Sequence, residues 1–422
     1  MNDMIEILEY LHKFVPNARN ADEIENLTER EDRGPMRVIP LGGDQLTCER
    51  IRGAHMARFD ADSPEERLEG CMSMMEDFHE KMNFLQMIMD RFYNSGSARE
   101  PGTLYHLKSV INRRNVSSTV TKDYHADSAF IDLVGESHII SLALTHFGMA
   151  DLNAPCKVFP HGIHLADIDH KKRILRNLVG ELVDSHIMNI LSQTLNREQL
   201  CEDENNDRIY NYATNFLKFW LLRKISIVAT RSGDGMRILR HWKYAMLLYH
   251  IAHKTKYRLE AFLLIACTIA LFTPRQQHQV IWNRFVNLSG GRGKNLDGDY
   301  VMELLNKYAK ARVKLIGPNH SPETVLRIGK TMMFCHDISR NLECQVGAAP
   351  ISRDHKAQDT TGDLTKLVRE LQRANVFTCI PGRAHNSFQN EPSDIFTQFN
   401  VIEFHKWMNA KKKQYAGNKQ AF

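Results

Sequence analysis

The chain has no pair of cysteines at the spacing of a zinc ribbon or a redox motif. Its eight cysteines stand singly at 48, 71, 156, 201, 267, 335, 344 and 379, which reads as reduced thiols inside a cell rather than a disulfide framework. Long hydrophobic runs are also missing. The longest, AFLLIACTIALF at 261–272, is about half of the roughly 20 residues a membrane span needs, so a buried core helix and no membrane segment are expected. The first 33 residues carry nine acids against four bases, the wrong charge for a secretory or mitochondrial leader. HExxH, GxSxG and GxGxxG do not occur, which removes the metalloprotease, hydrolase and dinucleotide sites those motifs build. GGRGKN at 290–295 comes nearest to a nucleotide P-loop. There Leu288 occupies the first glycine position and Asn295 the hydroxyl position, so nucleotide hydrolysis by that route is not expected.

What the chain does have is enough apolar content for a large core, 43% over 422 residues with 25% charged, and a lopsided charge distribution. Net charge is +5, yet the span from Arg223 to Lys314 holds 17 Lys and Arg against five acids, a balance of +12 that leaves about −7 for the rest. Aromatics are interleaved there: Trp242, Tyr244, Tyr249, Tyr257, Trp282 and Phe285. Cations with aromatics suit phosphate neutralisation and base stacking. The candidate nucleic-acid contacts are Arg237, Arg240, Lys243, Lys254, Lys256, Arg258, Arg292 and Lys294. The competing reading is a set of ordinary helices with solvated basic faces.

Hydrophobic period predicts a largely helical α/β protein with a small sheet near Asp44 and Asp77 and a big helical region from about 130 to 345. Residues 1–33 read as an amphipathic helix, stopped at Pro16, and an acidic linker. Residues 34–345 read as the main domain, sheet-containing to about 130, and 346–422 as a C-terminal extension with a helix at 363–374 and a basic tail. VIPLGG is extended, with Pro40 pushing it toward an edge or a bulge. Met82, Leu85, Met89 and Phe92 mark one helix face; Phe216, Trp220, Lys224 and Val228 mark another; Val301, Leu304, Leu305, Tyr308 and Arg312 a third. Two helices should join near Lys254.

Asp44 directly follows the extended run, and Asp77 stands 33 residues on at the next strand-to-helix transition. With Glu303 from a helix, and Asp299 one turn before it, they are the hard oxygen ligands a two-metal phosphoryl-transfer site requires, with Mg²⁺ or Mn²⁺ as the cation. The plainer readings are helix caps at Asp44 and Asp299, an i,i+4 ion pair between Glu303 and Lys307, and a structural His79. HGIHLADIDH offers a second metal candidate in His161, His164, Asp167 and His170. The plainer reading is a surface histidine run.

Five ordered blocks, VIPLGGDQLTCERIRGAH, EDFHEKMNFL, GTLYHLKSVINRRNV, SGDGMRILRHWKYAMLLYHIAHKTKYRLEAF and NRFVNLSGGRGKNLDGDYVMELLNK, resemble a transposon-derived domain-of-unknown-function family, DUF 6589. The resemblance implies descent from ribonuclease-H-like transposases; with it go DNA as the expected partner and, alongside the intracellular setting read from the cysteines, the nucleus as a candidate compartment. It selects Asp44, Asp77, His79, Asp299, Glu303 and Asn306, and adds Asp234 in SGDG, whose plain reading is a tight turn. Two functions stay open: a transposase-derived nucleic-acid-binding protein with a divalent-metal nuclease or strand-transfer site, and a catalytically inactive binding or protein-interaction module. The 33 residues between Asp44 and Asp77 leave little room for the extra hairpin of a ribonuclease-H sheet. Any sheet of that kind is expected to be reduced. Nothing in the sequence sets an oligomeric state.

Overall fold

Helical period dominates the chain because apolar side chains recur every three to four residues nearly everywhere except around residues 38–75. A computed structural model describes residues 2–15, 38–156, 158–159, 162–188, 206–315, 317–318, 321–347 and 359–416. The acidic linker read at 16–33 lies outside them. The protein is mostly helical, with two sheets of two strands each among the described residues. Strand β1 (Ile39–Gly43) pairs in parallel with β2 (Cys71–Met75), Ile39 opposite Cys71 and Gly43 opposite Met75. Both strands therefore have a free side, and Pro40 stands in one without interrupting a central ladder. Between them runs helix α2 (Gln45–Ala57), and no further strand lies between β1 and β2. The second sheet is a short antiparallel hairpin of β3 (Phe285–Val286) and β4 (Leu296–Asp297).

Helix α1 (Asn2–His12) packs on α2 through Leu8. Helix α3 (Phe78–Phe92) follows β2, then come α4 (Leu104–Val110), α5 (Tyr124–His146) and α6 (Ile168–Val183). The basic third contributes α7 (Arg208–Ser232), α8 (Gly235–Ile251), α9 (Thr255–Ala266), α10 (Pro274–Trp282) and α11 (Gly298–Leu315). The expected break near Lys254 falls between α8 and α9. Helices α12 (Pro322–Gln345), α13 (Thr361–Arg373) and α14 (Val401–Ala416) close the chain. One core joins α3 to α7, α7 to α5 and α8, and α8 to α9. Its centre is aromatic: Phe92 meets Tyr212, Phe216 and Phe219 edge-on. Helix α13 packs on α5 and places Leu367, Val368 and Leu371 in buried positions, so part of the segment read as an extension belongs to this core. Tyr124–His146 is long and apolar enough to cross a membrane by length and composition alone, and 56% of that window is buried inside the protein.

Two expected faces drifted. On α7, Phe216 and Trp220 are buried while Val228 is 43% exposed. A strict four-residue step advances about 40° per turn on a 3.6-residue helix, so Arg223, Ser226 and Ala229 take the inner line instead. On α11 only Val301 of the predicted stripe is buried, and Leu304 is 44% exposed.

Candidate functional site

The parallel pairing carries both strand-end acids to one end of the sheet: Gly43 stands opposite Met75, so Asp44 follows β1 directly and Asp77 lies one residue further along its strand's exit. Asp44 is the N-cap of α2: its carboxylate accepts the Thr47 amide at 2.7 Å. Burial works against its charge, but the Thr47 amide and hydroxyl outweigh it and hold the carboxyl below its usual value. Because Asn caps as well as Asp, Asp44→Asn should leave thermal stability within a few tenths of a kcal/mol of wild type, whereas Asp44→Ala should cost about 1 kcal/mol. A chemical-denaturation comparison of the two checks the cap.

Asp77 does something the sequence did not suggest. It starts α3 but makes no capping bond. Its side chain turns inward, where Arg284 donates from Nε to Oδ2 and from Nη2 to Oδ1, both at 2.7 Å, and Trp242 Nε1 donates to Oδ1 at 2.8 Å. Both partners are buried, Asp77 to 1% and Arg284 to 2% exposure. Burial alone would neutralise Asp77; the guanidinium outweighs that and keeps it ionised. Arg284 also donates to the Met75 carbonyl, tying β2 into the same clamp.

The vacant capping position of α3 is filled across space. Asp299, expected to cap its own helix α11, instead accepts the Phe78 and His79 amides at 3.0 Å each, and the His79 ring donates to it at 2.9 Å. That hydrogen bond, followed by the nearby Asp299, Asp44 and Glu303 charges, raises the His79 pKa against the opposing effect of burial. Glu303 faces His79 Nε2 at 3.9 Å rather than pairing with Lys307. So Asp44, His79, Asp299 and Glu303 share one neighbourhood, and Asp77 lies behind it. Asn306 is exposed on α11. Asp234 proves to be the cap of α8, accepting the Arg237 amide at 3.0 Å and pairing with its guanidinium.

Beneath this end lies a buried polar layer that local sequence patterns concealed. Glu76 is 6% exposed, its Oε2 has no hydrogen-bond partner, and it is wedged so tightly that a Cβ on Gly42 would stand 2.1 Å from its Oε1. Burial, reinforced by Asp77, Asp299 and Asp297, pushes its carboxyl up to about 8 against the pull of Arg284. Lys81 reaches Thr230 at 2.6 Å and Asp297 at 2.5 Å. Glu80 accepts from Tyr249 at 2.6 Å and contacts His241 at 2.9 Å. A charged stripe at 77, 80 and 81 on one helix was the available signal.

The expected donor set does not fit an Mg²⁺ or Mn²⁺ pair. Each Asp77 oxygen already accepts from the buried Arg284 guanidinium, and Oδ1 from Trp242 as well, so the carboxylate points into the core with its charge neutralised there rather than toward Asp44 and Glu303. In the second candidate, Asp167 caps α6 through the His170 amide and His170 contacts Arg173. His164 is exposed, and His161 lies outside the described residues.

The eight candidate cations divide. Lys254 pairs with Asp90 at 2.8 Å, Lys256 with Glu49 at 3.0 Å, and Arg258 stacks 4.2 Å over Trp407. Arg237 is held by Asp234. Arg240, Lys243, Arg292 and Lys294 are exposed and unpaired among the described residues. GGRGKN is the exposed loop of the β3–β4 hairpin, not a strand-to-helix phosphate loop.

No curated protein and no solved structure matches this chain. The profile of a family of unknown function, DUF6589, matches residues 4–355, and by that match the chain belongs to the DUF6589 family.

Proposed function

We propose that the protein is a transposase-derived nucleic-acid-binding module, working inside the cell, whose acidic end serves the fold rather than metal-dependent cleavage. The observation that carries this reading is the Asp77–Arg284 clamp: the central acid of the expected catalytic set has both oxygens committed to a buried guanidinium. The binding half rests on the four unpaired cations. Two chain contacts gather them: a Cβ on Gly233 would meet Asn295 at 2.8 Å, and Thr230 holds Asp297 at 2.8 Å. The α7–α8 turn therefore abuts the β3–β4 hairpin, and Arg292 and Lys294 stand beside the start of α8.

DNA affinity should fall steeply with salt. Neutralising Arg240, Lys243, Arg292 and Lys294 together to Gln should reduce the slope of log K against log salt by roughly 3–4, at about 0.9 per phosphate contact. A slope left unchanged would remove the basic edge from the account.

The second reading, a divalent-metal nuclease or strand-transfer enzyme, is favoured by one observation: Asp44, Asp299 and Glu303 all surround His79. A reduced ribonuclease-H-like core, with acids at two parallel strand ends and a third on a helix, belongs to that reading.

A further inference from the structure

The basic third carries six aromatic side chains suited in principle to stacking, and the fold sorts them. Trp242 and Tyr249 are wholly buried. Tyr257 donates to the His79 carbonyl, and Phe285 is half-buried in β3. Tyr244 and Trp282 alone of the six point outward, 57% and 43% exposed.

These two rings do not stand in isolation. On α8 the exposed positions Met236, Arg240, Lys243 and Tyr244 follow one helical line. On α10, Arg275, His278 and Trp282 repeat at i, i+3 and i+7, all exposed, with the His278 ring 6.5 Å from the indole. The two helices meet where a Cβ on Gly235 would stand 1.9 Å from the Ile281 carbonyl oxygen, so Trp282 lies at the N-terminal end of α8. Gly233, in the left-handed conformation that ends α7, brings the Arg292 and Lys294 loop to the same end through Asn295. Three chain segments bearing unpaired cations or outward aromatics thus converge on the α7–α8 turn. Tyr244 is nine residues along α8 from Gly235, about 14 Å at 1.5 Å per residue, or the rise of about four stacked nucleotides.

A duplex keeps its bases stacked on one another and offers outward rings backbone and groove edges but no free base face. A single strand offers a base face to each ring, and such stacking favours binding irrespective of sequence, because every base has a π-face. We infer that the edge formed by α8, the end of α10 and the β3–β4 loop takes single-stranded nucleic acid, with Tyr244 and Trp282 as base-stacking platforms and Arg240, Lys243, Arg275, Arg292 and Lys294 on the backbone. This rests on the nucleic-acid-binding reading above and narrows its ligand.

The test is anisotropy at fixed salt with three labelled probes of equal length: an oligo(dT) strand, an abasic strand and a duplex. The proteins are wild type, Tyr244→Ala/Trp282→Ala and Tyr244→Phe/Trp282→Phe. Wild type should bind oligo(dT) more tightly than either other probe. The alanine pair should lose roughly tenfold or more on oligo(dT) and nothing on the abasic strand, and the phenylalanine pair should retain most of the affinity. Equal binding of oligo(dT) by wild type and the alanine pair, or a preference for duplex, overturns the inference while leaving nucleic-acid binding in place. Absence of binding to all three probes overturns both. Both rings lie at the surface, 57% and 43% exposed, and matched thermal melts will show that the variants fold.

Discussion

Arg284→Met should destabilise the protein by about 3–5 kcal/mol, because it strands the ionised Asp77 carboxylate in a site with almost no solvent contact. Asp77→Asn should cost a similar amount for the mirror-image reason, leaving an unpaired guanidinium fully buried. The double variant should be milder than the sum of the two, with an interaction of up to about 3 kcal/mol, since Asn can keep the Trp242 hydrogen bond and Met removes the stranded charge. Urea melts of the four proteins measure this directly. Small, additive losses would mean that Asp77 is free to take another partner. The distinction matters in practice: loss of any activity in an Asp77 variant reports unfolding, and Asp44→Asn is the clean probe of chemistry at this end.

The second large effect is a pH dependence centred on Glu76. Its folded carboxyl is raised to about 8 from an ordinary 4.5, chiefly by burial. The folded state therefore holds a proton that the unfolded chain releases between those two values. Stability from this group is fully present below about 4.5 and is lost as pH climbs through about 8. At 1.36 kcal/mol per pKa unit the whole loss is at most about 4–5 kcal/mol. Glu76→Gln stays neutral in both states, so the stability gap between variant and wild type should widen in favour of the variant from pH 5 to pH 8.5. Denaturation curves that run parallel across that range would show that Glu76 is ionised in the folded protein and that the buried layer is differently balanced.

Both effects arise where sequence reading reached its limit. The Asp44 cap, the β1 strand, the start of α3 and the α8–α9 break are local events, each governed by residues within a few positions, and they were legible. Of the expected set Asp44, Asp77 and Glu303, with Asp299, three carboxylates lie around His79 and Asp77 lies behind them. The inward turn of Asp77 was not legible, because its partners Trp242 and Arg284 lie 165 and 207 residues away. Asp299 misled for a related reason: its position at the start of α11 suits a local cap, yet α3 offered two free amides in its reach. Glu76 sits beside the more conspicuous Asp77 and shows its role only through the two glycine backbones closing around it. Composition found the basic third correctly, but counting charge could not show that Lys254, Lys256 and Arg258 are held by partners from distant parts of the chain, two carboxylates and an indole.

The most direct test of the account is a single incubation of labelled DNA with wild type and Asp44→Asn, in Mg²⁺ and in Mn²⁺, reading retention and fragment length together. The account predicts salt-sensitive retention of intact DNA, equal for the two proteins and independent of metal. Metal-dependent cleavage by wild type that disappears in Asp44→Asn would contradict it and make the acidic end a catalytic centre.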